Sequence, residues 1–428
     1  MDRARAAAVK VVFEVNERGA YSNVALAKLL RTENFSDIDR RFCTELVYGT
    51  VKAGESIDWI ISKYINRPLK KIDPKVAAIL RVGIYQIFFL DRVPDSAAVN
   101  ESVELAKKVS IGSSKFVNAV LRSAVREPEK AKFPTGDTAE AIALSMFHPQ
   151  WLVERWIEQF GIEQTKEICI ADNKEPPLTL RVNTLKTSRS EVLESLKSQN
   201  IAARPSTLTE EGIIIYSGAG SLDNLAILQQ GLCQVQDESS MLVAHALEPK
   251  SGEFIIDCCA APGGKTTHIA ELMNNTGHIL AVDIHEHKIK QIKSNASRLG
   301  IKIIEPLQLD ARKIGSKFKG KADRVLVDAP CSGLGVLRRK ADLRWKKTLN
   351  ELKALPALQL EILNSAAQTL KQGSTLVYST CTLEYEENEG IINKFINIHS
   401  DFRLEYTKTL LPHIDGTDGF FIAKLKKL

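Results

Sequence analysis

From Gly252 onward the chain alternates short runs rich in Ile, Leu and Val with helical segments. "EFIIDC" is followed by "THIAELMNN" and "HILAVDI" by "HKIKQIKSNASRLG", and "KIIEPLQLD", "ADRVLVDAP" and "STLVYST" come after as further short β runs. Apolar strands separated by helices form a parallel sheet wrapped on both faces, an α/β Rossmann-like layer. Ligands of such sheets bind outside the carboxyl ends of the strands. Asp257, Asp283, Asp310 and Asp328 stand at consecutive strand ends, in register on this reading. One such aspartate would pass for a strand-end cap, whereas four together point to a ligand.

The loop "DCCAAPGGKTTHIA" joins the first of these strands to its helix. Its candidate cofactor residues are Cys259, Ala260, Ala261, Pro262, Gly263, Gly264 and Lys265. Small residues let backbone approach a ligand, and the helix N-terminus offers free N–H groups. "GGKT" is similar to the tail of a phosphate-binding P-loop, but that motif needs glycine where this chain has Cys259. The dinucleotide fingerprint G-x-G-x-x-G is not matched either. Asp283, 26 residues after Asp257, suits bidentate hydrogen bonding to ribose hydroxyls, and Asp310 is placed to receive an adenine amino group. A nucleoside-type cofactor is expected.

Two strands end in cysteine: "RVLVDAPCSGLG" carries Cys331, and "VYSTCTLEYEENEG" carries Cys381. Each precedes a turn or helix start, where N–H dipoles lower a thiol pKa. Asp328 lies three residues before Cys331. A thiolate and a carboxylic acid beside a nucleoside cofactor suit covalent catalysis on a pyrimidine, whose C5 becomes nucleophilic once a thiolate adds at C6. Glu384, Glu386 and Glu387 read as favourable charges in the first turn of a helix. The other five cysteines, Cys43, Cys169, Cys233, Cys258 and Cys259, read as small buried hydrophobes. Seven cysteines in a chain without a secretory core are expected to be free thiols, and with no C-x2-C pairing no metal is expected. After Cys331, "LRRKADLRWKK" holds six cations, one acid and an indole. Beside a catalytic loop, Arg338, Arg339, Lys340, Arg344 and Trp345 read as a phosphate-gripping, base-stacking segment.

Upstream of the sheet the pattern differs. Residues 1–135 carry apolar residues at helical spacing throughout, with Asp37, Asp73 and Ser96 at expected N-caps, and read as a helical bundle. The net charge of +6 sits entirely in the N-terminal third: residues 1–130 hold 22 Lys and Arg against 16 Asp and Glu, and the remainder holds 36 of each. That bias fits a nucleic-acid partner. The polar, turn-rich "EPEKAKFPTGDT" reads as a linker. Residues 145–245, with "LTLRVNTLK", "IAARPS" and "GIIIYSG", read as a small α+β piece, and residues 246–428 as the α/β domain. The longest uncharged apolar run, about Val82 to Leu90, is far short of a membrane span, so a cytoplasmic protein is expected.

Taken together, "DCCAAPGGKTTHIA", "AVDI", "LVDAPCSGLG" and "YSTCTLEYEENE" resemble the RNA cytosine-5 methyltransferases of the Sun/Fmu family, and the N-terminal "LVYGTVKAGESIDWII", "AAILRVGIYQIFFL" and "KFVNAVLRSAV" resemble the NusB RNA-binding fold. The middle segment with "RVNTLK" is similar to the family's small RRM-like subdomain. The resemblance implies S-adenosylmethionine as cofactor, with Cys259 to Lys265 around its methionine part, Asp283 on the ribose, Asp310 on the adenine side and Asp328 near the methyl group and the pyrimidine N3. Lys265 is counted among the catalytic residues. The resemblance also divides the two cysteines: Cys381 the nucleophile, Cys331 the group that helps release product. A NusB-like domain fused to such a catalytic domain implies a monomeric enzyme acting on 16S ribosomal RNA, at a cytidine of the position-967 type. The contrasting reading is a non-catalytic RNA-binding assembly factor, which loss of Cys381 or Asp328 would favour; both are present.

Overall fold

The computed structural model describes residues 2–220, 222 and 225–428. It divides into two compact units: the described residues up to Lys174 together with Leu337–Lys347, and Glu175–Val336 together with Thr348–Leu428. Among the described residues no helix is long and apolar enough to cross a membrane.

The first unit is helical. Helices Arg3–Arg18, Ser22–Thr32, Asp37–Ser62, Pro74–Phe89, Asp95–Lys107 and Ile111–Arg126 bury apolar stripes such as Ala4, Ala8, Val11 and Val15 in one core. Asp73 caps its helix as expected, accepting from Lys75 N and Val76 N. At the other two sites the cap lies upstream: Ser36, not Asp37, accepts from Asp39 N, and Pro94 precedes a helix that begins at Asp95 rather than after Ser96. Helix Asp37–Ser62 is two helical stretches joined at a kink, where Gly54 leaves helical geometry. The first compact unit extends to Lys174, because helices Ala139–Ser145, Gln150–Phe160 and Ile162–Asn173 dock on the bundle. Ser56 Oγ donates to Leu144 O at 2.8 Å, Lys52 Nζ to Asn173 O at 3.0 Å, and Phe147 meets Phe89 edge-on at 5.3 Å.

Leu337–Lys347 is a peg in this helical unit, and it withdraws Arg344 from the phosphate-gripping part expected of it. Trp345 lies against Gly54, where a Cβ would come within 2.5 Å of the indole, and its Nε1 donates to Val51 O, a carbonyl just before the kink, at 2.8 Å. Arg344 is fully buried and donates to Phe147 O at 2.7 Å, Asn173 Oδ1 at 3.0 Å and Asp172 O at 3.4 Å. Lys346 Nζ caps the end of helix Arg3–Arg18 through Gly19 O and Ala20 O. A guanidinium committed this way has no face left for phosphate. Arg338 and Arg339 are half-buried, and Lys340 is exposed.

The second unit holds two sheets. Strands β1 (Leu178–Val182), β2 (Ala202–Pro205), β3 (Gly212–Ser217) and β4 (Cys233–Val235) form an antiparallel sheet in the order β2-β3-β1-β4. Cys233 is thus a strand residue opposite Val182. Strands β5 (Phe254–Cys258), β6 (His278–Asp283), β7 (Ile304–Gln308), β8 (Ala322–Asp328), β9 (Leu370–Thr380), β10 (Phe402–Leu410) and β11 (Phe420–Lys427) form the large sheet in the order β10-β11-β9-β8-β5-β6-β7. It is parallel except for β10 and β11. Strand order reverses between β5 and β8, which places the ligand crevice at their carboxyl ends. Of the two antiparallel strands, β10 is largely exposed, and β11 follows its apolar Phe420–Ala423 with Lys424, buried between Glu248 and Glu405.

Replacing Arg344 by Ala removes three buried hydrogen bonds and the cation facing Asp172, whose carboxyl burial pushes up to about 7 against the pull of Arg344. The expected result is a loss of about 3 kcal/mol of stability in the helical unit, read by urea unfolding with tryptophan fluorescence.

Candidate active site

The parallel register decides which strand-end groups meet. Asp328 pairs with Ser379 across β8 and β9, so the loops that follow these strands leave the sheet side by side. Cys331 and Cys381 come together there, Sγ to Sγ 3.3 Å, and Gly335 N donates to Cys381 O at 3.0 Å. Gly335 is required at that crossing, since a Cβ would lie 2.0 Å from Gly419 O. Two cysteines fifty residues apart therefore have a single explanation.

Asp328 is held from both sides: Lys265 Nζ lies 2.7 Å from Oδ2, and Ser379 Oγ donates to Oδ1 at 2.8 Å. Burial disfavours the charge on Lys265, but Asp328, with Cys381 and Asp257 beyond it, outweighs that and lifts its pKa above that of an ordinary lysine. The ammonium also sits 5.1 Å from the centre of the Phe420 ring. Lys265 is a fixed cation facing both Asp328 and the sulfur pair.

The Cys331 thiol departs from the sequence reading. Hydrogen bonding to Cys381, then burial and the charge of Glu387, push its pKa well above the ordinary thiol value rather than below it. Either sulfur can donate in the 3.3 Å contact between the two thiols. Nor do the glutamates form an exposed helical turn. Tyr385–Glu387 is a 3₁₀ turn, the helix begins at Glu389, and Glu384 and Glu387 are buried. Glu387 Oε2 accepts from Ser332 N at 2.9 Å and Gln359 Nε2 at 2.8 Å, and Gln359 also reaches Pro330 O. Ser332 and Thr382 hydroxyls share a 2.7 Å bond. These braces of the Pro330–Cys331 turn were missed; a polar Gln359 in an otherwise apolar helix face was the available signal.

The remaining aspartates are not level. Asp257 pairs with Ala281 and Leu326, two residues deeper than Asp283 and Asp328, and is wholly buried. Thr266 Oγ1 donates to its Oδ2 at 2.6 Å, Oδ1 has no hydrogen-bond partner, and burial pushes the carboxyl up to about 7. Asp283 accepts from His285 N at 3.1 Å and Ala261 N at 3.4 Å, tying the β6 end to the cofactor loop. Asp310 caps the turn Ala311–Lys313, and its carboxylate is chelated by Arg312, so an adenine amino group would share it. Between them runs the loop Cys259 to Lys265. Burial pushes Cys259 up to about 12, which keeps it a neutral thiol, and Gly263 takes φ +100° as N-cap of helix Gly264–Leu272. Ala260 is buried, while Pro262 is exposed and Ala261 and Gly264 are half-buried at the helix mouth. All seven cysteines are free. Arg338, Arg339, Lys340, Arg344 and Trp345 belong to the other compact unit.

Arg181 is a further residue that sequence reasoning passed over, although it lies in "RVNTLK". Fully buried on β1, it makes a two-point contact with Glu271, donates to Gly264 O at 2.7 Å and Thr267 Oγ1 at 3.0 Å, and bonds Gln236. It thereby clamps the helix that carries Lys265.

The comparisons agree with this geometry. Residues 244–426 match the family described as 16S rRNA methyltransferase RsmB/F, residues 2–126 the NusB family, and residues 148–220 the ferredoxin-like domain of RsmF/B-like methyltransferases. The chain is 41% identical over 98% of its length to a probable ribosomal RNA small subunit methyltransferase B of Bacillus subtilis, of which it covers 98%. The chain belongs to the RsmB/F family of 16S rRNA methyltransferases. Among solved structures it is similar to the one titled PH0851 (TM-score 0.85, 29% identity, 100% of this chain and 99% of that one). It is also similar to NSun6 from Pyrococcus horikoshii solved with SFG (TM-score 0.60, 29% identity, 65% and 98%). The family architecture, a NusB domain, a ferredoxin-like segment and a C-terminal methyltransferase domain, is the one expected from the sequence.

Glu387→Ala removes the acceptor of Ser332 N and the charge that raises Cys331. Stability is expected to fall by about 1–3 kcal/mol, the cost of stranding buried donors. Cys331 is expected to alkylate faster at neutral pH, as followed by peptide mass spectrometry.

Proposed function

We propose that the chain transfers a methyl group from S-adenosylmethionine to C5 of a cytidine in 16S ribosomal RNA, of the position-967 type, through a bond between Cys381 Sγ and C6. The observation that carries this reading is the 3.3 Å sulfur pair beside the Lys265–Asp328 contact, at the ligand end of a parallel sheet. The name of the Bacillus subtilis relative, a small subunit ribosomal RNA methyltransferase, supports the substrate class.

The residues present fit the cofactor. Asp283 offers a carboxylate to a ribose diol, the loop Cys259 to Lys265 surrounds the methionine part, and the buried Asp257 Oδ1 has no hydrogen-bond partner. Asp310 remains the adenine-side residue, its carboxylate shared with Arg312. Bound S-adenosylmethionine supplies an electrophilic methyl group. Cys381 adds to C6 as a thiolate, stabilised by the Lys265 cation, and the ring electrons move to N3. There the Asp328–Lys265 pair supplies and holds the proton that neutralises the ring, and C5 becomes the nucleophile. Once C5 carries the methyl group, its proton passes to solvent, the C6–S bond breaks to restore the C5–C6 double bond and return Cys381 as a thiolate, and the N3 proton goes back to the Asp328–Lys265 pair. Cys331, protonated and in contact with that sulfur, assists this departure. The basic helical unit supplies RNA affinity through phosphate contacts. Removing residues 1–145 is a poor test of that role, since Leu337–Lys347 would lose the helices it packs on.

Asp283→Ala is expected to weaken S-adenosylmethionine binding about tenfold or more with the fold intact, the loss of a charge-assisted contact of ~1.5–3 kcal/mol; calorimetry giving wild-type affinity would remove Asp283 from the cofactor site. The two cysteine variants should fail differently. Cys381→Ala should give neither methyl transfer nor covalent RNA complex. Cys331→Ala should accumulate a protein–RNA species that survives denaturing electrophoresis and depends on S-adenosylmethionine. Near-normal activity in both variants would mean two merely structural cysteines, and an adduct in Cys381→Ala would make Cys331 the nucleophile.

A further inference from the structure

Away from the strand-end site, the second unit brings together three ligand-type side chains that the proposed chemistry does not use. Glu211 immediately precedes β3, His245 lies in the last turn of helix Glu238–Leu247, and His268 lies in helix Gly264–Leu272, three residues after Lys265. One ligand atom from each lies within 4.8 Å of the others. Glu211 Oε1 is 2.9 Å from His245 Nε2 and 2.9 Å from His268 Nε2. The two imidazole rings meet edge to face, 5.2 Å between centres.

Hydrogen bonding accounts for only part of this cluster. His245 Nε2 makes a hydrogen bond to Glu211. His268 is 1% exposed, yet neither of its ring nitrogens has a hydrogen-bond partner, although Nε2 is close to the carboxylate oxygen. A buried imidazole nitrogen 2.9 Å from a carboxylate oxygen, beside a second imidazole on the same oxygen, is placed as a metal ligand would be. We propose that Glu211, His245 and His268 bind a divalent transition cation, zinc foremost. Two imidazoles and a carboxylate form a three-residue donor set that leaves a fourth position open. Zinc bonds of about 2.0–2.1 Å place tetrahedral ligands about 3.3 Å apart, so the 2.9 Å contacts need to open by only a few tenths of an ångström. His245 is 37% exposed along its side chain and gives the ion an entry path. The bound ion would join the segment before β3 and helix Glu238–Leu247 to the helix that carries Lys265.

The test is a titration of Co²⁺, and in parallel Zn²⁺, into the full chain. One equivalent of Co²⁺ is expected to give visible d–d bands of four-coordinate intensity without the near-ultraviolet charge-transfer band of a cobalt–thiolate bond, and Zn²⁺ should displace it and raise the melting temperature. His245→Ala changes a half-exposed side chain and should fold; it is expected to weaken binding at least about tenfold and abolish the thermal shift. Glu211→Gln should do the same. No d–d bands, binding unchanged in both variants, or a thiolate charge-transfer band placing the ion on the cysteines would each overturn the proposal.

Discussion

The buried guanidinium of Arg181 is the contact on which the catalytic region most depends. It joins the small antiparallel sheet to helix Gly264–Leu272 through Glu271, Gly264 O and Thr267, with no water to replace any of these bonds. A charge in that position is tolerable only with its partners in place. Burial pushes Glu271 above the ordinary carboxylate range even though Arg181 pulls the other way, so each charge depends on the other. The helix so fixed begins at Gly263, where positive φ turns the chain out of the cofactor loop, and delivers Lys265 to Asp328 at 2.7 Å. The orientation of the loop, the lysine and the β8 aspartate thus rests on a residue from a different sheet.

Around Lys265 the electrostatics are asymmetric. Cys331 lies next to another sulfur and near the Glu387 carboxylate, both of which oppose its ionisation. Cys381 shares the surroundings of the Lys265 cation. Two chemically identical side chains 3.3 Å apart therefore stand in different electrostatic surroundings. The bracing of the Pro330–Cys331 turn by Glu387 and Gln359 keeps the pair at that separation.

The run from Leu337 to Lys347 shows how charge composition can mislead. Its cations have the content of a phosphate-binding segment, but Arg344 satisfies backbone carbonyls inside the helical unit and Lys346 caps a helix end. Trp345 fills the space that Gly54 leaves open at a helix kink. Guanidinium and indole groups serve equally well as ligand contacts and as donors to orphaned carbonyls, and nothing in an eleven-residue stretch distinguishes the two uses.

Some features were legible in the sequence because local pattern and local chemistry agree. The apolar runs ending in Asp257, Asp283 and Asp328, the glycines of the cofactor loop and the helical spacing of the first 126 residues each follow from short-range physics, and each is found. Strands β10 and β11 were not legible: β10 is largely exposed and held by pairing across the sheet, and β11 hides a lysine that only its partners neutralise. The sequence by itself determined that two strands end in cysteine, one of them three residues after an aspartate. Only the tertiary structure decided that β8 and β9 pair in register, which sets the sulfurs in contact, leaves Asp257 two residues deeper, and raises Cys331 while Lys265 stays charged. The physical reason is that proton affinity and burial depend on distances between residues far apart in the chain, and those distances exist only once the strands have paired.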